Sequence, residues 1–377
     1  MKIKSIESFV LFDKLKESFY FSQWEYTERR ICIVKITTDS GHVGWGEGYG
    51  PAGIIKAGIQ HLAQFIIGMD SLETETIWNT MYRRTLDYAR RGILVSAISA
   101  IDVALWDLKG KIMQQPVYML LGGKKRDCVI PYATGLYFTK CNNLDEKLCD
   151  EAKAYVGMGF KAMKMKVGLG IERDIELVGK IRETIGNDIN LMVDSNHAYN
   201  LREAIQLANG IEKYNIGWFE EPISPEFYDQ YYELRLKTSI PIAGGECEYL
   251  RYGFQTLLSS KSVDIIQPDI CSTGGITEAK RIATLATVYG VDLVPHSWGT
   301  GIALSAAAHF ITNLDIVSGR MNSQICYMEY DRSENGLRDE LTHNSIVFEN
   351  GIIMLGDKPG LGFELNEDAL YKYTLKE

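Results

Sequence analysis

From Pro131 to Glu329, short apolar runs of strand length alternate with longer amphipathic stretches, and no other feature constrains the fold as much. The runs are Tyr132–Tyr137, Ala162–Val167, Asn190–Asp194, Gly217–Glu220, Ile242–Glu246, Asp264–Gln267 and Val291–Pro295, with a last one over Cys326–Glu329. Helical patterns such as Arg173–Ile185, Leu201–Tyr214 and Ile276–Tyr289 lie between them. Eight strands alternating with helices over roughly 200 residues is the arithmetic of a (β/α)8 barrel. An open doubly wound sheet competes, but within this repeat no strand is followed by a GxGxxG turn.

The chain before this repeat has a different order, strands first and then helices, as in α+β domains. Ile31–Thr38 and His42–Glu47 have strand patterns joined by a turn at Asp39-Ser-Gly41, and helical periodicity begins near Gly53. Ala97–Lys111 reads as a strongly apolar helix. Gly122-Gly123 and the charged run Lys124–Asp127 make a polar break. The expected division is therefore 1–125 as an α+β cap, 126–330 as the barrel, and 331–377 as a tail returning to the cap.

Acidic residues outnumber basic ones, 49 to 40, for a net charge of −9, which argues against a nucleic-acid partner. No stretch reaches the ~18–20 apolar residues of a membrane span, and the first residues have no signal-peptide core. The seven cysteines are scattered, with no CxxC pair, so reduced thiols and a cytoplasmic location are expected.

Polar residues at the C-terminal ends of barrel strands are where catalysis sits. Asp194, Glu220 and Glu246 each close an apolar run, 26 residues apart (220 − 194 and 246 − 220). Acids after strands also serve as helix N-caps. Three in phase converge on one mouth, and three hard oxygen ligands suit Mg²⁺ better than zinc. Lys164 and Lys166 share one face of the preceding strand, where each ammonium should depress the other's pKa towards that of a base. Asp269 and His296 follow the next two strands, a pairing that fixes an imidazole tautomer and raises its basicity. His61 and His309 read as satisfied structural residues.

In order along the chain, these segments resemble the mandelate racemase subgroup of the enolase superfamily. The resemblance includes Gly44-Trp-Gly-Glu-Gly48 and Ala100–Lys111, the KxK motif in Gly159–Gly168, and Asp194-Ser-Asn196. It continues through Trp218–Pro222, Gly244-Gly-Glu246, Gln267-Pro-Asp269, Pro295-His296 and Pro359–Gly362. It implies a capping domain over a modified TIM barrel, and one Mg²⁺ per subunit held by Asp194, Glu220 and Glu246, with Glu221 in a supporting place. It also implies proton abstraction α to a carboxylate, as this superfamily performs with a Lys or His base beside Mg²⁺. By the same match Lys166 is one base and the Asp269–His296 dyad the other. Lys164 holds the substrate carboxylate, and a protonated Glu329 donates to it.

Substrate identity is expected to reside in the cap, in Phe19–Tyr26 and Glu47–Pro51. Tyr20, Trp24 and Glu47 are candidates there, with Asn196 and His197 from the barrel; aromatics in the cap serve equally to enclose a substrate or to pack a lid. The first reading is dehydration of an acid sugar to a 2-keto-3-deoxy acid. The second is cycloisomerisation of an acid-sugar lactone, because Gly244–Gly301 also resembles galactarolactone cycloisomerases; racemisation is third. A non-catalytic binding protein is the reading from a different class. The partners implied are a small carboxylate or acid-sugar substrate and further copies of the chain in a homo-oligomer.

Overall fold

The computed structural model describes residues 1–315, 327–344 and 346–376; Cys326 lies outside them. The chain opens with an antiparallel sheet of β1 (Ile3–Phe21), β2 (Trp24–Thr38) and β3 (Val43–Gly48). Helices α1 (Ala52–Ile66), α2 (Thr74–Thr85), α3 (Ile93–Met113) and the short α4 (Val117–Leu120) follow. Strand β1 is missing from the sequence reading because its charged residues interrupt the apolar alternation. It forms a long ribbon with β2, and the tip of that ribbon crosses to Phe138 through paired backbone bonds at Tyr20 of 2.8 and 3.1 Å.

The second part alternates β4 (Ile130–Thr134), α5 (Leu144–Gly157), β5 (Ala162–Lys166), α6 (Ile171–Ile185), β6 (Asn190–Asp194), α7 (Leu201–Ile211) and β7 (Ile216–Glu220). It continues with α8 (Tyr228–Arg235), β8 (Ile242–Gly244), α9 (Leu250–Ser259), β9 (Ile265–Ile266), α10 (Gly275–Tyr289), β10 (Asp292–Leu293), α11 (Gly301–Asn313) and β11 (Tyr327–Asp331). The eight strands form one parallel sheet in the order β10-β9-β8-β7-β6-β5-β4-β11. This is a modified TIM barrel under an α+β cap. Several strands end sooner than the apolar runs suggest. Glu246, Asp269 and His296 sit on loops just past β8, β9 and β10, and Gly245 turns out of β8 with a φ of +123°.

Barrel strands are buried on both sides, so their side chains sort by alternation. In β5, Met163 and Met165 join the core beneath the helices, while Lys164 and Lys166 face inward. Tyr132, Met192, Trp218 and Val294 fill the floor of the barrel. The cap is fixed to the barrel by buried carboxylates at helix N-termini, where free N–H groups and the helix dipole favour an acceptor. Glu47 accepts from Thr300 N at 3.0 Å and Ala303 N at 3.3 Å at the start of α11. Asp102 accepts from Thr277 N at 2.9 Å and Thr277 Oγ1 at 2.6 Å at the start of α10. The tail reaches β1 again, where Leu375 N donates to Val10 O at 2.9 Å.

Candidate active site

Three neighbouring strands deliver their last residues in register, Lys166 beside Asp194 and Asp194 beside Glu220. Thr134 and Lys164 pair across β4 and β5, and Glu329 enters from β11. Lys164 Nζ contacts Glu220 and lies 3.0 Å from Glu329 Oε1 and 3.5 Å from Asp194 Oδ2. Burial works to lower its pKa, but the carboxylates of Glu220 and Glu329 outweigh burial and hold it well above its ordinary value. The mutual depression expected of the lysine pair is therefore corrected for Lys164, whose near neighbours are acids. Lys166 Nζ lies 2.6 Å from Asp194 Oδ2 and 2.7 Å from Asn196 Oδ1, and 4.5 Å from the centre of the Phe21 ring.

His296 Nδ1 lies 2.6 Å from Asp269 Oδ2, whose other oxygen accepts from Cys271 N at 2.7 Å. Nε2 faces Glu246 at 3.5 Å and Glu329 at 3.8 Å. Burial disfavours the imidazolium, yet Glu246, Glu329 and Asp269 together raise its pKa to about 10. Glu329 accepts from Thr134 Oγ1 at 2.6 Å and Ser297 N at 2.9 Å. Burial works to raise its pKa, but Lys164 and His296 bring it down to about 2. These surroundings favour the carboxylate of Glu329, whereas the resemblance implies its protonated form.

Asp194 and Glu220 converge on Lys164, and Glu246 stands by His296. Glu220 Oε2 also accepts from Trp218 Nε1 at 2.9 Å and Gln267 Nε2 at 2.6 Å. Burial, with the charges of Asp194, Glu329 and Glu246, lifts Glu220 to about 7 despite Lys164. Glu221 is held well above its ordinary value by burial and by the charges of Glu246, Asp194 and Glu220. Such a surplus of carboxylate, with oxygen the sole ligand atom, fits a hard divalent cation such as Mg²⁺.

The mouth above these groups is a cavity of about 180 Å³. Its walls are aromatic: Phe21, Trp24 and Tyr26 from the ribbon, Tyr49 after β3, Tyr137 after β4, and Trp298 two residues past His296. Asn196 and His197 line it as expected, and Trp24 stands at the rim, 47% exposed. Tyr20 and Glu47 do not reach it. Alternation along β1 sends Phe19 and Phe21 towards the cavity side and Tyr20 the other way, onto Phe138 at 5.6 Å; Glu47 is spent on the start of α11. Sequence reasoning missed Tyr137 and Trp298, although each follows a strand end or a site residue closely enough to have been flagged. Arg29 lies over the Trp298 ring at 3.9 Å, but its charge is committed to Asp331 at 3.0 Å. A cavity of about 920 Å³ at the opposite end, lined by Asn190, Gly217 and Asp292 at or beside strand starts, lies on the barrel face associated with stability rather than chemistry.

Fold and site together are those of a barrel enzyme of the lyase or isomerase type. The comparisons agree. The family model "Mandelate racemase / muconate lactonizing enzyme, N-terminal domain" matches residues 6–122, and "Enolase C-terminal domain-like" matches 147–369. The chain belongs to the mandelate racemase/muconate lactonizing enzyme family of the enolase superfamily. It is 40% identical to a D-galactarolactone cycloisomerase of Agrobacterium fabrum over 100% of both chains. It is 38% identical to an arabinonate dehydratase of Saccharolobus solfataricus, over 92% of this chain and 91% of the relative. Among solved structures, the 3,6-anhydro-D-galactonate cycloisomerase of Zobellia galactanivorans is 53% identical with a TM-score of 0.92, covering 100% of both chains. A racemase of Streptomyces coelicolor A3(2), 26% identical with a TM-score of 0.87 over 99% of this chain and 100% of that one, was solved with bound magnesium. Among the described residues no helix is long and apolar enough to cross a membrane.

Proposed function

We propose that the enzyme is a cycloisomerase that opens the ring of an acid sugar, with a ring oxygen β to the carboxylate as the leaving group. The observation that carries this is the shape and charge of the cavity. Lys164, Lys166 and His296 gather at its floor beside Glu246 and Glu329, six rings line its walls with Asn196 and His197 among them, and its volume is about 180 Å³. One carboxylate is thus met by three cations, and the remainder of the substrate by ring faces with a few polar side chains among them. A compact cyclic monoacid suits that division better than an extended diacid, whose second carboxylate would need a second cation. The likeness to two cycloisomerases, at 53% and 40% identity, supports the same choice over loss of water.

Lys166 takes the proton from the carbon next to the carboxylate. His296, held as imidazolium and aligned by Asp269, gives a proton to the departing ring oxygen as the β carbon–oxygen bond breaks. Lys164 holds the substrate carboxylate from below. Mg²⁺ held by Asp194, Glu220 and Glu246 would offset the negative charge that builds up on the carboxylate oxygens. The aromatic walls exclude water, which protects the enol until it takes up a proton at the β carbon. No atom is lost, and the product is a 2-keto-3-deoxy acid isomeric with the substrate.

A panel containing a 3,6-anhydro-galactonate, a galactarolactone and the open-chain acids arabinonate and galactonate tests this. In Mg²⁺ the cyclic acids should give a keto acid of unchanged mass, and chelator should stop the conversion. If only the open-chain acids react, with loss of water, ring opening is wrong and dehydration replaces it.

A further inference from the structure

Beside the carboxylate cluster stand three side chains that the proton-transfer chemistry leaves unused, His197 and Cys247 lining the cavity and Glu221 buried behind them. His197 Nε2 lies 3.1 Å from Glu221 Oε2 and 3.7 Å from Cys247 Sγ. Ligand atoms of all three residues lie within 4.8 Å of one another. A tetrahedral zinc ion, with bonds of about 2.3 Å to sulfur and about 2.0–2.1 Å to nitrogen and oxygen, sets nitrogen and sulfur about 3.5 Å apart and nitrogen and oxygen about 3.3 Å apart. The two separations from His197 Nε2 match these edges to about 0.2 Å.

The surroundings orient the same atoms. His197 Nδ1 lies 3.2 Å from Ile223 O, so Nδ1–H donates there and the lone pair of Nε2 faces Glu221 and Cys247. Metal-bound histidines are aligned in this way by a carbonyl behind the ring. His197 and Glu221 hold left-handed backbone conformations, with φ of +65° and +42°, that side-chain-bearing residues seldom adopt. The bond from His197 N to Glu221 O, at 2.8 Å, locks the two together. Glu221 is buried, whereas Cys247 is exposed and gives an ion a way in from solvent.

We propose that His197, Glu221 and Cys247 form a second metal site, for a thiophilic divalent ion of the zinc class, at the rim of the catalytic cavity. Three protein ligands leave the fourth position to water, and the thiol proton leaves to solvent as the sulfur binds. Imidazole and thiolate select against Mg²⁺, which keeps to the neighbouring carboxylates. The two sites therefore sort ions by softness. Glu221 follows Glu220 and Cys247 follows Glu246 in sequence, so a soft ion at the rim ties down the chain next to two of the magnesium acids. Zinc should accordingly slow turnover of the magnesium-loaded enzyme.

Cobalt(II) titrated into the full-length enzyme in saturating Mg²⁺ tests the assignment without relying on activity. The expected result is an intense near-ultraviolet thiolate-to-cobalt absorption that saturates at one ion per chain. It should be lost in Cys247→Ser and kept in Cys141→Ser, which removes another exposed thiol. His197→Ala, with the thiol retained, should weaken cobalt binding about tenfold or more. Absence of the absorption in the wild type, or its persistence in Cys247→Ser, would overturn the site. Should Cys247→Ser fail to fold, unchanged cobalt affinity in His197→Ala overturns it equally.

Discussion

At the scale of single residues, the proposed division of labour between Lys166 and His296 makes a prediction that separates the two halves of the reaction. Lys166→Ala should abolish both turnover and exchange of the substrate's α proton with heavy water. His296→Asn should lower turnover by about 10²–10⁴-fold, the usual size of a general acid's contribution, while α-proton exchange persists because Lys166 remains. Proton NMR in heavy water reads both, and exchange surviving in Lys166→Ala would reassign the base. These residues were legible in the sequence because each stands at or just past the end of a buried strand, and parallel barrel strands all end at one rim. The lysine pair's electrostatics were not legible. Spacing shows that two ammonium groups share a face, but it does not show Glu329 arriving from a strand more than 160 positions away. Tyr20 was misplaced for a simpler reason. Without β1 recognised as a strand, nothing indicated that its neighbours Phe19 and Phe21, and not Tyr20 itself, turn towards the cavity.

At the scale of elements, the cap motif Gly44-Trp-Gly-Glu-Gly48 is explained by close packing of β3 on α3. A Cβ on Gly46 would lie 2.1 Å from Ala100 O and 2.7 Å from Ala104 N, and one on Gly44 2.2 Å from Ala104 O. Backbone atoms of a buried helix cannot move aside for a methyl group. Gly46→Ala should therefore cost about 1–3 kcal/mol or more in urea denaturation, the range for overpacked cores. Gly53→Ala is the control, since a Cβ there meets nothing within 4 Å; it should be neutral or stabilising by up to about 1 kcal/mol. Equal losses in both would mean that the strand and helix are not in contact. The glycines, Glu47 and Asp102 could be recognised as a motif from the sequence, but their purpose could not. Which helix start a buried carboxylate meets depends on how the cap sits over the barrel, and residue order does not carry that information.

At the scale of the whole molecule, the cap, α11 and the tail meet at His309, and the join is sensitive to acid. Tyr118 N donates to His309 Nδ1 at 3.1 Å, and burial pushes the imidazole down to about 4. The native state refuses a proton that the unfolded chain accepts near its ordinary pKa of about 6.5. Stability from this group is therefore full above about pH 6.5 and falls as pH drops towards 4. Denaturation at pH 7.5 and 4.5 should show wild type losing about 2–3 kcal/mol more than His309→Asn; equal losses would mean that the ring is protonated in the folded protein. The barrel itself was legible from the alternation of runs, and so were Phe19–Tyr26 and Glu47–Pro51 as the segments of the lid over its mouth; which of their rings enter the cavity was not, because that depends on how a ribbon from the opposite end of the chain crosses the barrel. In the proposed function, that lid turns a site for proton abstraction into one for a small cyclic acid. The most direct measurement of that claim is turnover of a 3,6-anhydro-galactonate by the Mg²⁺-loaded enzyme in heavy water, followed by proton NMR and mass spectrometry. The prediction is a 2-keto-3-deoxy acid that keeps every oxygen of the substrate and carries deuterium on the former β carbon. An unopened ring with no exchange at the α carbon, from enzyme shown to be folded and metal-loaded, would contradict it.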